Sequence, residues 1–355
     1  MVKFPLLTAV LAVLASSVAA QCGAGTPDAR VTGSGSSFVA TRGSSQVYAG
    51  SDYRAAVQAA VDSIGSGQRV SVIASGSIGA GTISIGSGKT FEGCGTINAV
   101  VRSGRGAIEV LNASGVRIPY LTMTGNPYFG LRFYGTRDLT LGAINMNLSG
   151  GLGIRFDRDQ AANSNVRMGT VTVSGAGSHA VETWNIDGLA IDQVIARNCG
   201  ESGLLLQRTT NARVGLVDGN NVGAGTGYAT LRFANNNGQL ASGAYTTNVF
   251  VTRVVSRGGG RGVFCVSQSG GAEIGTVDLA SNGNNAILIE NCYGVTVGGG
   301  TVNGGGEVRI SARAEFPNTR DISITARVDG TSVREYPCGT NIRWNLSGNG
   351  ARNIC

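Results

Sequence analysis

A short strand returns about every 22 to 30 residues along this chain of 355 residues, and that recurrence constrains its fold more than any other feature. The clearest copies read Gly130-Leu-Arg-Phe-Tyr134, Gly153-Ile-Arg-Phe-Asp157, Ala180-Val-Glu-Thr-Trp184 and Thr230-Leu-Arg-Phe-Ala234. Small or apolar residues alternate in each copy (Leu131 and Phe133, Ile154 and Phe156, Val181 and Thr183, Leu231 and Phe233). Successive strand side chains point to opposite faces, so these turn inward while Arg132, Tyr134, Arg155, Asp157, Glu182, Trp184 and Arg232 turn outward. A second alternating motif follows each copy, as in Val166-Arg-Met168, Leu189-Ala-Ile191, Val249-Phe-Val251 and Val295-Thr-Val297. The same order returns about nine times between Ala107 and Gly330. Such a unit cannot bury its apolar face alone and must stack on the next. The expected fold is all-β, a single-domain parallel β-helix. A β-sandwich is the alternative, but its strands would not repeat in fixed order.

The rest of the chain fits around this ladder. Lys3, an apolar run from Leu6 to Val13 and the small exit Val18-Ala19-Ala20 mark residues 1–20 as a secretory signal peptide. The mature protein is therefore expected outside the cell, with no membrane span. Residues 21–50 are polar and read as an extended arm, and residues 51–355 as the β-helix domain. Within the latter, Tyr53, Val57, Ala60, Val61 and Ile64 share one face at helical spacing after Asp52, so a helix over 52–64 is expected to cap the first coil. The tail 331–355 is expected to cap the last.

Seven cysteines in an exported chain invite disulfides. Cys22 with Cys94 would pin the arm, and Cys338 with Cys355 the tail. Cys199, Cys265 and Cys292 remain, and Cys265 falls in an inward column, where a buried free thiol is expected. Asn112, Asn147 and Asn345 each begin an Asn-x-Ser triplet open to glycosylation. The net charge of +7 is carried almost wholly by arginine, since Lys3 and Lys89 are the only lysines. Guanidinium groups suit carboxylate, sulfate or phosphate partners, and export disfavours nucleic acid. Gly86-Ser-Gly-Lys-Thr90 lacks the first glycine of a nucleotide loop, having Ile83 there.

The segment Ile83-Ser-Ile-Gly-Ser-Gly-Lys-Thr-Phe-Glu-Gly-Cys-Gly-Thr-Ile97 resembles the opening coil of the pectate-lyase-like superfamily of secreted right-handed parallel β-helices. That resemblance implies right-handed coiling and activity on polysaccharides, among lyases, polygalacturonase-type hydrolases, uronate epimerases and phage tailspikes. The outward face carries the unusual residues, with Glu109, Arg132, Arg155, Glu182, Leu205 and Arg232 in one column and Leu111, Tyr134, Asp157, Trp184, Gln207 and Ala234 in the next. The bland reading is a solvated salt-bridge ladder. Against it, outward Tyr134 and Trp184 suit sugar rings. Two long turns, 159–165 and 235–248, would rise beside the face as the walls of a groove.

Elimination from a uronate needs a base and positive charge beside the carboxylate. The resemblance implies Arg or Lys as that base, often with calcium; Arg155 or Arg232 is the expected base here. Arg132, Tyr134, Trp184, Gln207 and Arg208 would bind substrate. Clustered acidic calcium ligands are not evident. Hydrolysis instead needs two carboxyls, for which Asp157 and Glu182 are candidates. The paired Asp-Asp, Gly-His-Gly and Arg-Ile-Lys signatures of polygalacturonases are absent. His179, the only histidine, is a further candidate. The expected function is cleavage of an acidic polysaccharide by a monomer, through elimination first, inverting hydrolysis second, with non-catalytic binding as the third reading.

Overall fold

A computed structural model of the chain describes residues 21–355; the signal segment 1–20 lies outside the described residues. The recurring strands pair in parallel, each with its counterpart one coil away, in a solenoid of about 12 turns. Ile108, Leu131 and Ile154 fall in register, as do Val181, Leu204, Leu231, Val263 and Ile287. All are buried in one continuous core that runs from Ala29 to Val333. The neighbouring inward column stacks Val110, Phe133 and Phe156, with the two rings 4.9 Å apart. Burial of each such ring stabilises the stack by roughly 2 to 3 kcal/mol. Parallel pairing throughout these coils excludes the β-sandwich.

The helix Tyr53–Ser63 forms because Asp52 caps it, its carboxylate accepting from the Ala55 amide at 2.9 Å. Tyr53, Ala56, Val57, Ala60 and Val61 are its buried face. Lys89, from the glycine-rich segment that mimics a nucleotide loop, donates instead to the Val61 carbonyl at 2.8 Å, near the helix C-terminus.

Both ends differ from expectation. Residues 29–50 are not a plain arm but an antiparallel meander, Ala29–Ser34, Ser37–Arg42 and Ser45–Gly50, whose first strand pairs in parallel with Arg69–Val72. Val31, Phe38 and Ala40 alternate into the core, a pattern that the surrounding Ser, Thr and Gly obscure in the sequence. The helix packs on this meander, its Tyr53 ring 5.1 Å from Phe38. At the other end, Thr340–Ser347 and Ala351–Asn353 pair in parallel with Arg320–Asp329 and Ser332–Glu335. The tail is a last coil rather than a lid across the stack.

Disulfides join Cys22 to Cys94 and Cys338 to Cys355 as expected. Cys265 is not free: it is bonded to Cys292, since an inward position on one coil can meet a cysteine from the coil that follows, 27 residues on. Cys199 is the buried free thiol.

Candidate active site

The outward columns hold the expected residues, but the charged ones are spent on one another. Glu109 accepts from Arg105 and the Gly106 amide; Arg132 bridges Glu109 at 3.1 Å and Asp157 at 2.6 Å. Arg155 pairs with Asp157 at 3.3 Å and with Glu182. Glu182 also accepts from Trp184 Nε1 at 2.9 Å and Gln207 Nε2 at 2.8 Å. Gln207 in turn accepts from Asn235. Burial would push both glutamates up, yet donors outweigh it. Arg105, Gly106 and Arg132 hold Glu109 below the usual carboxylate range; His179, Arg155 and Trp184 do so for Glu182.

This ladder revises several roles. Arg155 is tied to two carboxylates through Nε and Nη1, and Asp157 is held between Arg132 and Arg155, so both carry structural ion pairs beside any part in catalysis. Trp184 is 6 % exposed and Gln207 3 %, so neither offers an open surface to sugar. The indole packs inside the ladder because its N–H finds Glu182. Tyr134 is half-buried, under the Arg132 guanidinium at 5.5 Å.

Two cavities flank the ladder strands. The first, 420 Å³, is lined by Tyr128, Phe129, Arg155, His179, Glu182 and Glu201 among others. His179 is buried, its Nδ1 accepting from the Ser202 amide at 2.9 Å, so the proton sits on Nε2, 3.0 Å from Glu201 Oε2. Burial holds this imidazole below its ordinary 6.5, against the pull of Glu182 and Glu201. Ser178 donates to the same Glu201 oxygen at 2.5 Å. The other oxygen, Oε1, has no protein partner among the described residues. Glu201 lies one coil above Ser178, and that 23-residue spacing was its only signal in the sequence, since it precedes the alternating strand.

Arg232 sits at the edge of this cluster. Its guanidinium lies 4.6 Å from the Tyr228 ring centroid and 5.1 Å from that of Phe264, and no carboxylate reaches it among the described residues. Burial pushes it below the usual guanidinium range despite Tyr228, Glu201 and Glu182. Its Nε is buried without a hydrogen-bond partner.

The second cavity, 370 Å³, lies past the C-terminal ends of the same strands and contains Arg158, Asp159, Trp184, Arg208, Asn235 and Phe316. It brings together Asp159, Asn235 and Asn236 from the starts of the two long turns. A larger cavity of 710 Å³ beside Asp28 and Arg42 at the N-terminal end is remote from this chemistry. Asn112, Asn147 and Asn345 are all exposed. Among the described residues no three His, Cys, Asp or Glu gather to hold a metal ion, and the ladder carboxylates are already filled by arginine. The residues present therefore do not fit a calcium site of clustered carboxylates.

No protein-family profile matches this chain, and no curated protein does. Among solved structures it is similar to the enzymatically active domain of bacteriophage CBA120 tailspike protein 2, at 12% identity and TM-score 0.37, covering 82% of this chain and 44% of that one. It is also similar to a family 28 exopolygalacturonase from Yersinia enterocolitica, at 12% identity and TM-score 0.34, covering 90% and 82%. This chain thus spans less than half of the tailspike domain. By its own strand register the chain is a parallel β-helix.

Proposed function

We propose that this protein is an extracellular enzyme that cleaves a uronate-containing polysaccharide at the 420 Å³ cavity, by hydrolysis. The observation that carries this reading is a pair of carboxylates lining one cavity in different states of occupation. Glu182 is held ionised and takes three side-chain donors, one on Oε2 and two on Oε1. A carboxylate offers about four lone-pair directions, so one on Oε2 is left to position and deprotonate a water. Glu201 has a free oxygen and a second oxygen fixed by Ser178 and His179, and it serves as the acid toward the glycosidic oxygen. Two carboxyls in distinct environments are what hydrolysis requires.

Arg232 completes the site as the receptor for a substrate carboxylate, because it is a desolvated guanidinium without an anion. Tyr128 and Phe129, packed edge to face at 4.6 Å, supply an apolar wall for a sugar ring. Three disulfides support an oxidising compartment. No described helix is long and apolar enough to cross a membrane.

Elimination stays as a second reading on one observation: burial lowers the affinity of Arg232 for its proton, which favours it over Arg155 as a base. New reducing ends measured together with ultraviolet absorbance of unsaturated uronate separate the two. Hydrolysis raises only the first; elimination raises both. Neither would rise for a binding protein.

A further inference from the structure

The 370 Å³ cavity takes no part in this chemistry, yet it contains the chain's most anomalous arginine. Arg208 has φ +42°, in the left-handed region, where a long side chain is disfavoured. The register places Asn185 one coil below and Asn235 one coil above, both at φ +53°. Asparagine tolerates that conformation, and the corner is built for it. An arginine replaces it here, exposed to solvent, with no hydrogen-bond or ion-pair partner among the described residues. Packing does not explain an exposed arginine held in a disfavoured backbone region, and such positions cluster at binding sites.

The surroundings give the guanidinium something to do. Arg158 stands across the cavity with its guanidinium 5.6 Å from the Trp184 ring centroid, and its carbonyl accepts from Asn185 at 2.6 Å. Its one ion pair is with Asp159, the only carboxylate lining the cavity, and both side chains are exposed. Two arginines and one aspartate leave the cavity with a positive excess. Asn235, Asn236, Ser267 and Gln268 add polar groups that suit hydroxyls, and Phe316 adds an apolar wall.

We propose that this cavity is a second binding site, for an anionic sugar whose carboxylate or sulfate is held between Arg208 and Arg158. Bidentate contact with a planar or tetrahedral oxyanion is what arginine does better than lysine. Glu182 lines the cleavage cavity and Trp184, which donates to it at 2.9 Å, lines this one, so the two sites are neighbours along the face and this one would hold an adjoining unit of the chain or a side branch. The inference extends the polysaccharide reading but stands on different residues.

The test is calorimetric titration of the Glu201→Gln protein, and of the same protein carrying Arg208→Asn or Arg158→Ala. Three probes are used: an oligouronate, its carboxyl-reduced counterpart and a sulfated galactan oligosaccharide. Arg208→Asn is expected to weaken the anionic probe at least about tenfold, the loss of one charge-assisted pair. It should also melt at or above the parent temperature, because asparagine accepts the corner; a merely structural arginine would melt lower. Arg158→Ala should weaken the same probe, and the uncharged probe should bind both proteins equally weakly. A loss confined to the sulfated probe identifies sulfate as the anion. Unchanged affinity in Arg208→Asn, equal affinity for charged and reduced probes, or no binding of either anion overturns the site. Wild-type protein that cleaves nothing while Arg208→Asn still abolishes binding would remove the catalytic assignment and keep this one.

Discussion

The outward face of the ladder changes character halfway along the stack while its backbone does not. In the earlier coils the column reads Glu109, Arg132, Arg155 and Glu182, joined into alternating ion pairs. In the later coils it reads Leu205, Arg232, Phe264 and Leu288, and the three apolar members sit in a small cluster of their own with Ala229, Ala234 and Val266. The earlier half is held by charge and the later half by apolar contact and the Cys265–Cys292 bond. Arg232 is the one charge among these four residues, before the column returns to charge at Arg309 and Arg334, and the carboxylate-lined cavity lies at the first boundary. A repeating backbone therefore positions a site by a change of side-chain chemistry, not by a change of fold.

The largest expected effect breaks the charged half. Glu182→Ala leaves Arg155 with Asp157 alone and Trp184 and Gln207 without this acceptor; removal of one partner of a buried pair costs about 3 to 5 kcal/mol. Chemical denaturation should show that loss, and a loss under about 1 kcal/mol would mean the ladder is solvated after all. Next, Cys265→Ala with Cys292→Ala opens a loop of 27 residues, which is expected to cost about 3 kcal/mol. Hydrogen exchange should show the later coils losing protection first. Thiol titration of the parent should find one reactive group, Cys199, and only after unfolding, because burial raises that thiol and hides it.

Sign reverses across the boundary in the third case. Arg232→Met removes a desolvated charge that no carboxylate pairs and fills the same space, so stability should hold or rise by about 1 kcal/mol. Cleavage of acidic polymer should fall in the same variant. A destabilised Arg232→Met would show that Tyr228 and Phe264 compensate the charge fully.

The smallest effect is in pH. Glu109 and Glu182 are held below their ordinary 4.5, so the stability they contribute is complete above that value and is lost as pH falls through their folded values. His179 is held below 6.5 by burial, so the unfolded chain takes up that proton first. Its contribution is complete above about pH 6.5 and declines below it. Melting curves of Glu182→Gln and His179→Gln should each flatten the matching part of the profile.

Much of this was legible in sequence for one physical reason: a residue's side of a strand depends only on parity. Leu131, Phe133, Ile154 and Phe156 fall inward as the alternation requires, and the two outward columns appear in the order read from the chain. Parity does not say what covers an outward residue. Trp184 faces outward yet is buried, because Glu182 and Gln207 close around its N–H. Arg155 and Asp157 lie where expected but consume each other's charge, which depends on rotamers. Glu201 was missed because it sits outside the alternating stretch and matters only through its contact with His179 in the coil below. The meander over residues 29–50 was hidden by its polar composition, although its buried positions alternate like all the rest.

The most direct test of the account is the action of wild type and Glu201→Gln on a panel of acidic polysaccharides, followed by reducing ends and unsaturated-uronate absorbance together. Wild type should release reducing ends without the absorbance. Glu201→Gln should reduce that release by about 10² to 10⁴, the usual contribution of a general acid, with an unchanged melting temperature. Absorbance that rises with the reducing ends, or release that survives Glu201→Gln, would contradict hydrolysis at this cavity.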